Sequence, residues 1–338
     1  MTGPFANQLL SAETVHDYLV SRGLLDRAEP SSIAELGGGV SNVVLSVVTP
    51  SRELVVKQAL PRLRVLEEWL AKRERALTEA AALRLAGSLT PGLVPAVVDA
   101  DADACALTIA QAPQSWRPWK DLLLAGTADP AVAERLGSTL STWHDGTFGS
   151  PRLRAQFDDH EAFDQLRIDP YYRTIEHRHR EVAEIIGRFV DLMSSRRRCL
   201  VHGDFSPKNV LVGRDTMWII DWEVAHYGDP SFDVAFMLNH LFLKALHRPR
   251  SRTRYEQCSV VFFRAYEAGV SDGLRHEAEY VLGHVGCLML ARVDGKSPAE
   301  YLSELERDRA RRLGISLIVE PPQNVDGAWK RLAEAVVR

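Results

Sequence analysis

The stretch Cys199–Val212, CLVHGDFSPKNVLV, decides how the rest of this chain is read. Its apolar ends, Leu200–Val201 and Val210–Val212, have the β-branched character of short buried strands. Between them, His202, Asp204, Lys208 and Asn209 fall within eight residues. Either the cluster is a crowded polar turn between core strands or it is a site. Downstream, the turn GRDT (Gly213–Thr216) leads into MWII (Met217–Ile220), a second short strand, and the expected hairpin ends at Asp221. Such a hairpin would bring Asn209 and Asp221 to neighbouring positions at its open end, with Asp204 beside them. Amide and carboxylate oxygens are hard ligands suited to Mg²⁺, which completes its shell with phosphate and water. An aspartate outside that shell can accept a proton from a substrate hydroxyl.

Length and composition set the frame. A chain of 338 residues is long for one hydrophobic core, so two lobes are expected. Apolar residues at 46% and charged residues at 25% are ordinary for a globular protein. A net charge of −4 argues against an electrostatically driven nucleic-acid binder, which needs a basic surface. Cys105, Cys199, Cys258 and Cys287 are scattered, without a CxxC pair, and read as small buried residues of a reducing compartment. Tyr280–Ala291 is the longest apolar segment; His284 interrupts it and it is too short to span a bilayer. With no basic-then-apolar leader at the N-terminus, the expectation is a cytoplasmic protein with neither nucleic-acid nor membrane partner. The sequence specifies no oligomeric state.

Patterning changes along the chain. An amphipathic helix within Ser11–Leu25 is followed by β-branched runs around Gly37, Gly38 and Gly39, with a Pro-Ser turn separating NVVLSVV from LVVKQAL. Leu63–Ala86 is helical in pattern, and two short strands flank an acidic turn before Pro113. From Trp119 onward helical periodicity dominates. The expected organisation is a strand-rich N-terminal lobe over residues 1–113, begun by a helix, and a helical C-terminal lobe over residues 114–338 carrying the catalytic loop and acceptor site.

VHGDFSPKNVLV, then IIDWE, then GDPSFDVAFML, resembles the aminoglycoside phosphotransferase and choline kinase superfamily in order and spacing. The resemblance runs from about Leu36 to Leu313 and implies an α+β, bilobal protein-kinase-like fold. It implies a small antiparallel-sheet N-lobe, a mostly helical C-lobe, and ATP- and Mg²⁺-dependent transfer to a hydroxyl of a small molecule. The catalytic set it implies is Asp204, His202 and Lys208. Asp204 orients or deprotonates the acceptor hydroxyl, and His202 braces the loop. Lys208 has two readings, a cation beside the transferring phosphoryl group or a solvated surface lysine. Asn209 and Asp221 are the implied metal ligands, and Asp233 is implied to fix the backbone of the catalytic loop.

A kinase-like C-terminal block requires a nucleotide site in the N-terminal portion. Gly38 and Gly39 allow close backbone approach to phosphate, and Ser41 and Asn42 add donors. Lys57, among Val55, Val56 and Leu60, needs partners if buried, which a phosphate and a helix glutamate would supply. Glu79 suits the family spacing best, with Glu74 as the alternative and Glu67 and Glu68 read as solvated helix face. Adenine is expected on backbone groups around Ala110 and Ala112, a mode that reads ATP and GTP alike. No GxxxxGK[ST] occurs; Val293–Pro298 has Gly-Lys-Ser without the upstream glycine.

The acceptor side carries weaker signals. Acidic residues in Asp158–Thr174 would suit a polycationic aminoglycoside, and Tyr171 and Tyr172 a quaternary ammonium. Arg167 and Arg173 favour an anionic or neutral polyol instead. His240 and Arg292 interrupt apolar helices and complete the acceptor candidates. Trp143–Asp145 reads as helix-end packing. Two rival readings lie outside this one. A protein kinase is disfavoured because the interval from Asp221 to Asp233 is too short for an activation segment. A pseudokinase serving as a regulatory binding module is opposed by the presence together of Lys57, Asp204, Asn209 and Asp221.

Overall fold

The computed structural model describes residues 5, 8–37, 41–62, 71–275 and 277–337. Gly38 and Gly39, and Glu67 and Glu68, lie outside the described residues. The chain divides into two compact units, Met1–Trp116 with Gly213–Val224, and Arg117–Val212 with Ala225–Arg338.

The first unit is built on strand alternation. After helix α1 (Val15–Ser21) come β1 (Ser32–Glu35), β2 (Asn42–Val48), β3 (Glu53–Ala59), helix α2 (Arg75–Leu89), β4 (Val97–Asp101) and β5 (Ala106–Ala110). The five strands form one antiparallel sheet in the order β1-β2-β3-β5-β4. Successive side chains of a strand face opposite sides. On β3, Leu54 and Val56 therefore join Val15, Tyr18 and Leu19 of α1 in one apolar cluster with Val43, Leu45 and Val47 of β2. Gln58, on that same side, receives the Leu10 N–H at 2.7 Å and donates to the Gln8 and Ala104 carbonyls. Val55, Lys57 and Ala59 are left to the opposite face. In α2, Arg75, Glu79, Ala82, Leu83 and Ala86 are buried at helical spacing, so Arg75 and Glu79 share a face, while Glu74 is exposed before the helix begins.

The second unit is mostly helical. It contains β6 (Arg117–Pro118), α3 (Trp119–Leu124), α4 (Pro130–Thr147), α5 (Pro151–Gln156), α6 (Glu161–Phe163), a π-helical segment (Asp164–Arg173), α7 (Thr174–Arg178), α8 (Ala183–Ser195), β7 (Cys199–Val201) and β8 (Val210–Val212). β9 (Met217–Ile219) belongs to the first unit, and β10 (His226–Gly228), α9 (Ser231–His247), α10 (Arg252–Gly269), α11 (Ala278–Asp294), α12 (Glu304–Val319) and α13 (Val325–Val337) complete the second. Helix α9 is buried on all sides from Ser231 to Leu246, the mark of a central helix. Helices α4 and α10 approach so closely that a Cβ on Gly137 would lie 2.3 Å from the Phe262 carbonyl, so only glycine fits there. β7 pairs antiparallel with β10 through Val201–His226, and this pairing delivers the chain into His202.

Among the described residues no helix is long and apolar enough to cross a membrane. All four cysteines are buried with free thiols.

Candidate active site

In the first unit, charge concentrates on the α2-facing side of the sheet. The Lys57 ammonium donates to Glu79 Oε1 at 2.6 Å and Oε2 at 2.8 Å, and to Asp221 Oδ1 at 2.7 Å. Glu79, and not Glu74, is thus the helix carboxylate that meets this lysine. Burial alone would drive the ammonium toward its neutral form; the Asp221 and Glu79 carboxylates, with Glu223 beyond them, outweigh it and hold the Lys57 pKa above its ordinary value. Asp221 itself adopts φ 70°, a left-handed conformation that aspartate tolerates better than most residues.

Glu223, two residues after Asp221, organises the same unit from underneath. Its Oε1 accepts from Ser41 Oγ at 2.7 Å, and its Oε2 accepts from Asn42 Nδ2 at 2.8 Å and Arg75 Nε at 3.0 Å. Arg75, 1% exposed, also donates to the carbonyls of Ser41 and Leu60 and of Ala71 and Lys72. The Ser41 and Asn42 side chains both donate to Glu223 and so tie the start of β2 to it. Ala110 ends β5 in register with Leu54, and Ala112 follows in irregular backbone after Gln111, whose N–H donates to the Glu53 carbonyl.

In the second unit the His202–Asn209 loop is fixed at both ends. Asp233, from the first turn of α9, accepts the His202 N–H on Oδ2 at 2.7 Å and the Gly203 N–H on Oδ1 at 2.9 Å. Asp233 is in turn contacted by His144 Nε2 at 3.3 Å, whose Nδ1 lies 2.9 Å from the Tyr266 hydroxyl. Burial would raise the Asp233 pKa, but the hydrogen bond and charge of His144 and the contacts from His202 reverse this and hold it below the usual range. His202 Nδ1 accepts the Asp204 N–H at 3.1 Å. Gly203 sits at φ 76°, in the left-handed region where a Cβ would be strained, which explains the glycine of the HGD triplet.

Asp204, 2% exposed, is held through one oxygen. Its Oδ2 receives Arg167 Nη2 at 2.9 Å, Lys208 Nζ at 2.8 Å and Asn209 Nδ2 at 2.8 Å. None of these bonds uses Oδ1. Asn209 also donates to the Asp204 carbonyl, so its amide nitrogen is committed and Oδ1 is its remaining side-chain donor toward a cation. The Lys208 stem is half exposed while its ammonium sits on Asp204, an arrangement midway between the two sequence readings.

The acceptor candidates separate. Arg167 binds the Asp204 carboxylate and donates through Nε to the Gly203 carbonyl at 2.8 Å, with its guanidinium about 6.0 Å from the Tyr171 ring and 5.9 Å from that of Phe236. His240 lies one turn beyond Phe236 on α9, its ring 5.3 Å away. Arg292 donates to the carbonyl and hydroxyl of Ser297. Tyr172 does not join this group; it is fully buried and its hydroxyl bonds His284 Nδ1 at 2.8 Å. Arg173 pairs with Glu176 at 2.8 Å, with its side chain partly exposed. The segment carrying Arg167 and Tyr171 is π-helical and includes Pro170, a wound form that often marks functional positions. The sequence reading gave no roles to Arg75, Glu223 or His144. The dyad spacing of Asp221 and Glu223 and the WHD at a helix end were their only sequence traces.

Comparison with known proteins places this geometry. Residues 32–268, more than half of the chain, match the profile of the phosphotransferase enzyme family, APH. The chain belongs to that family. It is a kinase of small molecules, with the α+β protein-kinase-like fold. The methylthioribose kinase of Geobacillus thermodenitrificans (strain NG80-2) is 26% identical, the match covering 89% of this chain and 90% of that one. Methylthioribose kinase 2 of Oryza sativa subsp. japonica is 28% identical, covering 64% and 57% of the two chains. Among solved structures, a choline/ethanolamine kinase family protein from Mesorhizobium loti superposes with a TM-score of 0.54 at 17% identity, covering 96% of this chain and 98% of that one. Amicoumacin kinase hAmiN, solved in complex with AMP-PNP, Ca²⁺ and Ami, gives a TM-score of 0.55 at 15% identity, over 91% of this chain and 94% of that one. At these identities the structural likeness speaks for the fold.

Proposed function

We propose that this phosphotransferase moves the γ-phosphoryl group of Mg²⁺-ATP to a hydroxyl of a sugar-like small molecule. The observation that carries the reading is the state of Asp204, a buried carboxylate bound through Oδ2 by three donors while Oδ1 is outside those bonds. In the step, the acceptor oxygen forms a bond to the γ-phosphorus as the bond to the β,γ-bridging oxygen breaks. The hydroxyl proton passes to Asp204 Oδ1, and ADP and a phosphomonoester leave. Arg167 holds the carboxylate in register with the backbone at Gly203, and Lys208 adds positive charge beside it. In the first unit, Lys57 is the cation assigned to nucleotide phosphate, braced by Glu79. Asn209 Oδ1 and the Asp221 carboxylate would hold Mg²⁺, and their all-oxygen chemistry fits a hard cation. When bound, that ion neutralises phosphate charge. The glycine-rich turn at Gly38 and Gly39, and backbone at Ala110 and Ala112, are assigned to phosphate and adenine; GTP would meet the same backbone.

The methylthioribose kinases named above support a sugar-like acceptor, and aminoglycosides and amino alcohols are its rivals. The pseudokinase reading gains nothing from the geometry, since Lys57, Asp204, Asn209 and Asp221 are all present. The test is Asp204→Asn assayed for acceptor-dependent ADP release alongside a titration with Mg²⁺-ATP. Turnover is expected to vanish while nucleotide binding persists; near-normal turnover would refute the assignment.

A further inference from the structure

Four cationic side chains are buried among the described residues, namely Lys57, Arg75, Arg167 and Lys244. Three face carboxylates at 3.0 Å or closer, Lys57 on Glu79 and Asp221, Arg75 on Glu223, and Arg167 on Asp204. Lys244 has no such partner. It is 1% exposed; its ammonium donates at 3.5 Å to the His240 carbonyl and lies 5.5 Å from the Tyr301 ring. An ammonium removed from water without a counter-charge is costly, so proteins keep such groups where an anion arrives.

The surroundings add to the excess rather than relieve it. Arg292 and Lys120 act on Lys244, and His240 feels Lys244, Arg292, Lys208 and Lys120. Burial holds the His240 pKa below its ordinary value, and these cations push it further the same way. Two polar atoms of the region, Arg292 Nε and the Tyr301 hydroxyl, are buried without hydrogen-bond partners. Asp204 is committed to Arg167 and Lys208, and Glu306 to His247 at 3.3 Å and to the Ser303 N–H at 2.8 Å.

This cationic end is continuous with the proposed base. Phe236, His240 and Lys244 are four residues apart and so share one face of α9. Arg167, on Asp204, lies over Phe236 at one end of that face, and Lys244 stands two turns on, about 12 Å along the axis. We propose that the acceptor carries, besides the hydroxyl that is phosphorylated, a compact oxyanion (carboxylate or phosphate) held by Lys244 and Arg292. The proposal rests on the kinase reading above and narrows its acceptor class. Sugar acids and sugar phosphates fit; polycationic aminoglycosides meet like charge.

The test is ADP release by the full-length enzyme with Mg²⁺-ATP and matched acceptors, namely ribose, ribonate, ribose 5-phosphate and kanamycin. The anionic members are expected to exceed ribose in kcat/KM by at least about tenfold, the value of one charge-assisted contact. Ribonate against ribose 5-phosphate tells the carboxylate from the phosphate. Lys244→Met should abolish the preference, with a thermal midpoint at or above wild type to show that it folds, and Lys244→Arg should restore it. Equal or better turnover of ribose or kanamycin, retention of the preference in Lys244→Met, or turnover of none of the four despite Mg²⁺-ATP binding would overturn the anionic acceptor and leave the kinase reading standing. Failure to bind Mg²⁺-ATP at all would remove both.

Discussion

Asp233 offers the sharpest test of how the catalytic loop is held. Its two oxygens each serve a different backbone donor, His202 N–H at 2.7 Å and Gly203 N–H at 2.9 Å, and its side chain is fully buried. Asp233→Asn keeps the size but supplies one acceptor oxygen and one NH₂ group. Whichever way the amide turns, one backbone N–H then faces another donor. The loss of one charge-assisted bond, about 1.5–3 kcal/mol, adds to the cost of a buried unsatisfied donor, about 1–3 kcal/mol, for a total of about 2.5–6 kcal/mol. Both donors belong to the backbone that carries Asp204, so the cost should surface as local opening of the loop. Native-state hydrogen exchange over residues 199–206 is the assay. At 1.4 kcal/mol per factor of ten, protection at His202 and Gly203 should fall roughly sixtyfold to about twenty-thousandfold. Turnover should fall with it. The Asp233 carboxyl is held below its ordinary pKa, so its contribution is fully present above the ordinary carboxylate range and is lost as pH drops through the native value. The contrast with wild type should therefore be flat from about pH 5 to 8. Exchange in the variant within about threefold of wild type would refute the claim that Asp233 holds this loop.

Three further outcomes are expected. Lys57→Met strands the Glu79 and Asp221 carboxylates without their cation and should cost about 3–5 kcal/mol, read from urea unfolding, while a Mg²⁺-ATP titration loses its binding signal; wild-type behaviour in both would count against the assigned role. Burial, joined by Arg292 and Lys120, lowers the Lys244 pKa to about 7 from 10.5, so the penalty is fully present below pH 7 and disappears as pH rises toward 10.5. Wild-type stability should rise with pH across that window, and Lys244→Met should be more stable than wild type at pH 6.5, with a gap that narrows in thermal melts at higher pH; a pH-independent gap would contradict this. Burial, with a smaller push from Arg196, lowers the His284 pKa from 6.5 to about 3, so its stabilising neutral form is intact above pH 6.5 and its contribution is lost as pH falls toward 3. His284→Gln should shift the acid-unfolding midpoint downward by circular dichroism; an unchanged midpoint would remove His284 from the acid response.

The parts of this molecule that were legible in its sequence share a physical cause. Lys57 stood out because a lysine amid Val55, Val56 and Leu60 is improbable without a partner, and β3 does turn it to the α2 face, where Glu79 waits. Glu79 was favoured on family spacing; in the structure it is the burial rhythm of α2 (Arg75, Glu79, Leu83) that separates it from the exposed Glu74. Local patterns of this kind survive folding because strand and helix periods fix which way a side chain points. Arg75, Glu223 and His144 were silent for the opposite reason. Each acts through partners far away in the chain, 148 residues apart for Arg75 and Glu223 and 89 for His144 and Asp233, and no local period encodes such a pairing. Tyr172 and Arg173 show the limit of reading a segment by composition alone. Within Asp164–Arg173 the π-helical winding sends Arg167 to Asp204, Tyr172 into the core against His284, and Arg173 back to Glu176.

The distribution of buried charge then says more than the motif does. Where the chain buries a cation for its own architecture it supplies the carboxylate as well, as with the buried pair Arg75 and Glu223. Lys57 and Arg167 are also paired, yet their carboxylates are the assigned metal ligand and base, so nucleotide and acceptor would enter by exchanging partners within existing ion pairs. Among the buried lysines and arginines of the described residues, Lys244 is the one that faces no carboxylate within ion-pair distance. A structural lysine at that place would be better replaced by leucine or methionine, since a buried, unpaired ammonium lowers stability and a well-packed apolar side chain does not. Its place on the same face of α9 as Phe236, over which the Asp204-bound Arg167 lies, is what favours the proposed anionic acceptor over the neutral and cationic ones the loop motif allows equally.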